Sequence, residues 1–135
     1  MVAGIMGDGD FLMGVTAVWT ATHYKVPCLM VVANNRSFYN DELHQERVAK
    51  ERARPVENKW IGQRIDEPDI DLAAMARAQG AEAIGPVRSV PELKPAMEKA
   101  IQAVREGKVC VVDVRVVPGY DTNMSGAPAA AAKRE

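Results

Sequence analysis

Apolar positions fall along this chain in short unbroken runs separated by helical patterns. Val2–Met6 is an apolar run stopped by Gly7, the signature of a buried strand. Phe11–Tyr24 suits a helix: Leu12, Val15, Trp19 and His23 follow helical spacing, while Phe11, Val18 and Ala21 make the opposite side apolar too. A helix with so little polar surface is covered on more than one side, and Pro27 blocks its continuation. Cys28–Ala33 (CLMVVA) is a second continuous apolar run, β-branched toward its end. Continuous apolar strands separated by helices predict a parallel sheet covered on both faces.

A polar loop follows at Asn34–Tyr39, then a densely charged, helix-compatible stretch over 40–54. Residues 55–68 contain Pro55, Gly62 and Pro68 and predict an irregular excursion. Asp69 is the expected N-cap of a helix through about Gln79, which Gly80 ends. Ala81–Gly85 is a short strand. Ser89 and Glu92 have capping-box spacing, with Pro91 early in the helix that Leu93, Met97, Ala100, Ile101 and Val104 define up to Gly107. Val109–Val117 is the last strand. Asp113 and Arg115 interrupt one of its faces, which is therefore expected to be partly wet or near an edge. The order β-α-β-(α)-loop-α-β-α-β predicts an α/β domain with a mainly parallel sheet and helices on both faces, over residues 1–118. Beyond Pro118 the composition collapses into Gly, Ser, Pro and Ala, so 119–135 is expected to be a flexible tail.

Size and composition agree with one packed domain: 135 residues, 47% of them hydrophobic. No stretch approaches the ~18 consecutive apolar residues of a membrane span. The opening MVAGIMGDGD has no basic leader, so no signal peptide is expected. A net charge of −1 gives no general drive toward nucleic acid or anionic membrane. Cys28 and Cys110 sit in apolar runs, far from any second Cys or His at ligand spacing, and are expected to be reduced core residues of a cytoplasmic protein.

Open parallel sheets bind ligands beyond the carboxyl ends of their strands. Two polar clusters occupy such ends: Gly7-Asp8-Gly9-Asp10 after the first strand and Asn34-Asn35-Arg36-Ser37 after the second. The 24 residues from Asp10 to Ala33 are about what a helix crossover and a return strand need. If the two strands are neighbours, Asp8 and Asn35 share one crevice. Gly7 and Gly9 allow a sharp turn and close backbone approach. The amides of Gly9, Asp10 and Phe11 would open a helix N-terminus, favourable to phosphate oxygens. Two carboxylates beside a phosphate repel it unless a divalent cation lies between. Magnesium combines one or two carboxylates with phosphate oxygens, and Asp8, the Asn35 amide oxygen and a loop carbonyl suit it. Gly-Asp-Gly alone is a common turn; its combination with the crossover length and Asn-Asn is much more specific.

The segment GDGDFLMG…CLMVVANN resembles the thiamine-diphosphate motif, and DIDLAAMARAQGAEAIGPVRSVPELKPAMEKAI…VCVVDVRVVPGY is similar to the closing part of the same domain. The resemblance, over about residues 2–120, is to the C-terminal thiamine-diphosphate-binding domain of the acetolactate synthase, benzoylformate decarboxylase and pyruvate decarboxylase family. It implies thiamine diphosphate and Mg2+ as cofactors. The implied metal ligands are Asp8, Asn35 and the backbone carbonyl of Ser37. Gly7, Gly9 and Asp10 would hold the diphosphate, and Phe38 with Tyr39 would begin the segment that covers it. It further implies a lyase or transferase acting on a small 2-oxo acid in a larger, homo-oligomeric enzyme. The activating glutamate there comes from a pyrimidine-binding domain, so this chain is expected to hold no catalytic residue of its own. The Gly-Asp-Gly-Asp start also resembles the β subunits of 2-oxoacid:ferredoxin oxidoreductases, and a non-catalytic α/β binding module is a third alternative.

The remaining conspicuous residues have plainer expectations. His23 is packed or interfacial, and His44 is a solvated helix position or faces substrate. Arg47, Lys50, Arg52 and Arg54 form a solvated face. Trp19 and Trp60 serve packing or subunit contact, and the seven methionines fill core gaps.

Overall fold

The computed structural model describes residues 1–119. The strands are β1 (Val2–Gly7), β2 (Cys28–Asn34), β3 (Glu82–Val87) and β4 (Cys110–Arg115); the helices are α1 (Asp8–Gly14), α2 (Thr16–His23), α3 (Tyr39–Glu51), α4 (Leu72–Ala78) and α5 (Val90–Arg105). The four strands form one parallel sheet in the order β1-β2-β4-β3. This is the expected α/β architecture. The expected tail falls almost wholly on 120–135, outside the described residues.

Alternation along the strands sorts the core into two layers. Cys28, Val32 and Val111 pack with Phe11, Val18, Leu72 and Ala76, which seats α1, α2 and α4 on one face. Leu29, Cys110 and Val112 pack with Ala96, Ala100 and Val104, which seats α5 on the other. Both cysteines are buried and free. Each fully buried Val or Leu contributes roughly 1.5–3 kcal/mol, so these two layers outweigh the exposed ion pairs, each worth about 0–1 kcal/mol.

The structure alters several boundaries. The expected helix 11–24 begins at Asp8 and is divided at Val15. Val15 keeps helical dihedrals and its carbonyl accepts from the Val18 amide at 3.0 Å, so the division is a tightened turn. The α4 N-cap is Asp71, not Asp69: Asp71 Oδ1 accepts from the Ala74 amide at 2.7 Å. Asp69 instead receives Arg115 Nη2 at 2.8 and 2.9 Å. The expected capping box is replaced by a neighbouring bond: the Ser89 side chain makes no capping bond, and Glu92 Oε2 accepts from the Arg88 amide, one residue before the N-cap, at 2.9 Å.

The main correction concerns the last strand. β4 is central, between β2 and β3, so the expected wet or edge face is interior and Asp113 is 0% exposed. The edges are β1 and β3. At the β1 edge Val2 is 67% and Ile5 81% exposed; Met13 on α1, Trp19 on α2 and Tyr24 just after α2 are exposed too.

Candidate functional site

β1 and β2 are adjacent and in register, Gly7 opposite Ala33. Their carboxyl ends therefore deliver Asp8 and the Asn34–Ser37 loop to one place. Asp8 is 3% exposed. Its Oδ1 accepts from the Gly9 amide at 3.1 Å and its Oδ2 from the Ser37 amide at 3.2 Å. The same Ser37 N–H donates to Asn35 Oδ1 at 2.9 Å. One donor thus gathers the oxygens of both residues that the motif singles out. Burial pushes the Asp8 carboxyl above its ordinary range, opposed by backbone N–H donors from Gly9, Arg36 and Ser37.

The loop conformation has local causes. Arg36 adopts φ 59°, and its amide donates to Asn34 Oδ1 at 3.2 Å. Asn34 Nδ2 in turn donates to Asp113 Oδ1 on β4 at 2.9 Å. Asn34, Ser37 and Asp113 are all buried. Burial raises the Asp113 carboxyl, and its Oδ2 has no hydrogen-bond partner.

Gly9 is required by contact. A Cβ placed there would lie 2.2 Å from Phe38 Cε1, so the Phe38 ring rests on the α1 backbone. Around Gly7 the constraint is looser: a Cβ would meet Asp10 Oδ2 at 3.5 Å. Asp10 itself is exposed. Gly7, Asp8, Gly9, Asp10, Asn35, Ser37 and Phe38 are therefore assembled at the β1–β2 end of the sheet.

Two functional-looking residues escaped the sequence argument. Glu42, on the first turn of α3, is 2% exposed; it accepts from the Ser37 hydroxyl, and Arg64 Nε reaches it at 3.2 Å. Asp113 is the other. A lone carboxylate amid CVVDV signals a buried charge, whereas Glu42 is hidden among the many charges of 41–54. Beside the loop, Asn35, Arg36, Ser37, Tyr39, Glu42 and Arg64 line a polar cavity of about 100 Å3. His44 is not in it. It lines a separate cleft of about 330 Å3 with Val48, Arg54, Pro55 and Lys59. His23 is exposed and stacks on Trp19, ring centroids 4.8 Å apart.

The oxygens brought together are hard donors: the buried Asp8 carboxylate and the Asn35 amide oxygen, beside a helix start. Such a set fits a magnesium–diphosphate group. A nearby cation would also stabilise the ionised form of a carboxyl that burial has raised. Among the described residues there is no His/Cys/Asp/Glu cluster of three that could hold a metal by side chains alone. No helix among them is long and apolar enough to cross a membrane.

A parallel α/β sheet with an acidic turn and a paired-amide loop at its carboxyl end has a polar crevice where open sheets of this kind bind ligands. The comparisons narrow the class. Residues 1–114 match the family model described as thiamine pyrophosphate enzyme, C-terminal TPP binding domain, and the chain belongs to that family. Benzoylformate decarboxylase of Pseudomonas aeruginosa is 32% identical over 112 residues, 77% of this chain and 18% of that protein. The solved thiamine diphosphate-dependent 4-hydroxybenzoylformate decarboxylase of Rhodococcus jostii matches with a TM-score of 0.63 at 23% identity, over 90% of this chain and 20% of that one. The last match supports the fold. This chain spans about a fifth of the length of both relatives.

Proposed function

We propose that this chain anchors the diphosphate of thiamine diphosphate through a magnesium ion held by Asp8, Asn35 and the Ser37 carbonyl. Gly7, Gly9 and Asp10 present backbone to the diphosphate, and Phe38 orders the start of the covering segment. The observation that carries this reading is the Ser37 N–H shared between Asp8 and Asn35. When bound, thiamine diphosphate supplies the electron sink for cleaving or making a bond beside a carbonyl, while the protein binds and orients it.

In the whole protein the reaction is decarboxylation of a small 2-oxo acid, or C–C bond formation of the acetolactate-synthase kind. The similarity to benzoylformate decarboxylase supports the first branch over a ferredoxin-oxidoreductase subunit. The activating glutamate comes from a pyrimidine-binding domain elsewhere, within a cytoplasmic homo-oligomer, so this chain alone is inactive. The exposed Ile5, Met13, Trp19 and Tyr24 at the β1 edge support cover by other parts of such an enzyme.

Calorimetric titration of the chain, with folding checked by circular dichroism, tests the anchor. Binding of thiamine diphosphate should require Mg2+ and vanish in Asp8→Ala and Asn35→Ala. Equal binding with and without Mg2+, or unchanged affinity in both folded variants, would overturn it.

A further inference from the structure

We propose that Glu42 is a positioning residue for the cofactor loop: its buried carboxylate holds the Ser37 side chain, so that the Ser37 backbone faces Asp8 and Asn35. The inference deepens the reading of those residues as the cofactor site and rests on it.

Burying a carboxylate is costly unless it is paired. Glu42 is 2% exposed and is the one fully buried residue of α3. The sheet and the other helices do not account for that burial, because α3 has no extensive contact with them. The side chain instead turns back to the loop before α3. Its Oε1 accepts both the Ser37 hydroxyl and Arg64 Nε, the latter at 3.2 Å.

A serine hydroxyl has one proton to donate. Ser37 gives it to Glu42, away from the Asp8 carboxylate, and gives its N–H to Asp8 and Asn35. The serine is thereby oriented from both ends. The same carboxylate also closes the root of the arm formed by residues 38–64. There Ser37 bridges Arg64, the Phe38 amide donates to Gln63 O at 2.9 Å, and the Ile65 amide donates to Arg36 O at 2.8 Å. Farther out, the arm closes on itself through Glu46, which pairs with Lys50 and Lys59. Glu42 thus joins a self-closed arm to the loop that carries Asn35 and Ser37.

Hydrogen exchange on the 135-residue chain without ligand tests the latch. Glu42→Ala should speed exchange of the Ser37, Phe38 and Ile65 amides about tenfold or more, while Val32 and Val112 in the sheet stay protected. Glu42→Gln, which keeps an acceptor for the Ser37 hydroxyl, should retain protection of Ser37. Ser37→Ala should reproduce the Glu42→Ala pattern and covers the case in which that variant fails to fold. The affinity for thiamine diphosphate with Mg2+ is the second readout. Glu42→Ala and Ser37→Ala should each weaken it about tenfold, and the double variant should be no weaker than either. Unchanged exchange at the three amides, uniform acceleration across the sheet, or additive losses of affinity would each overturn the proposal. If the parent chain binds no thiamine diphosphate while the exchange pattern holds, the cofactor reading fails and the latch stands.

Discussion

The backbone N–H of Ser37 donates to Asp8 Oδ2 at 3.2 Å, joining residues 29 positions apart at the end of two neighbouring strands. Parallel pairing in register, with Gly7 opposite Ala33, makes this possible. A shift of one residue would turn every β2 side chain to the opposite face. Asn34 and Asn35 would exchange roles, and the amide that now reaches Asp113 would face away from it.

The close seat of Phe38 on Gly9 leads to a paired test. Gly9→Ala forces a methyl group into the ring. It should destabilise the chain by about 1–3 kcal/mol, the usual cost of overpacking. Phe38→Ala in the same chain should recover most of the steric part. Urea denaturation of the single and double variants measures both, with equal losses in the two arguing against the contact.

Two carboxyls should give opposite pH dependences. Asp113 is raised in the folded state by burial, so the folded chain holds its proton to higher pH than the unfolded chain. Its contribution is greatest below the ordinary 3.8 and is lost as pH rises from there through the raised folded value. Glu46 is held down to about 2 by Lys50 and then Lys59. Its contribution is present above 4.5 and lost as pH falls toward 2. Stability measured against pH should lose the first slope in Asp113→Asn and the second in Glu46→Gln.

The two aspartates before α4 should also differ. Asp71→Ala removes a real cap and should cost about 1 kcal/mol. Asp69→Ala removes a half-exposed partner of Arg115 and should cost about 0–1 kcal/mol. Thermal unfolding of both variants ranks them, and the reverse ranking would restore Asp69 as the important residue.

These distinctions show where the sequence was legible. Hydrophobic runs mark β2 and β4 because these central strands are buried on both faces, as Val32 and Val112 illustrate, whereas the equally apolar β1 run, expected to be buried, forms an edge with Val2 and Ile5 exposed. Glycine at the β1 end marks the crevice because the Phe38 ring packs on the Gly9 backbone, and asparagine at the β2 end because the Asn34 and Asn35 side chains accept the loop amides of Arg36 and Ser37. Strand order is not written in periodicity. Asp113 therefore looked like an edge residue until β4 proved central. The choice between Asp69 and Asp71 depended on which carboxylate Arg115 would occupy, a contact 46 positions away in sequence. Glu42 was obscured for a similar reason: its partner Arg64 is 22 positions away and lies across an irregular segment.

Manganese, which shares magnesium's preference for oxygen ligands, gives the most direct test of a metal gripped by Asp8, Asn35 and Ser37. Added with thiamine diphosphate to the isotopically labelled chain, it should broaden the amide resonances of Gly9, Asn35 and Ser37 first, and should not do so in folded Asp8→Ala. Broadening centred on other acidic positions such as Asp69 and Asp71, or the same pattern in Asp8→Ala, would contradict the account.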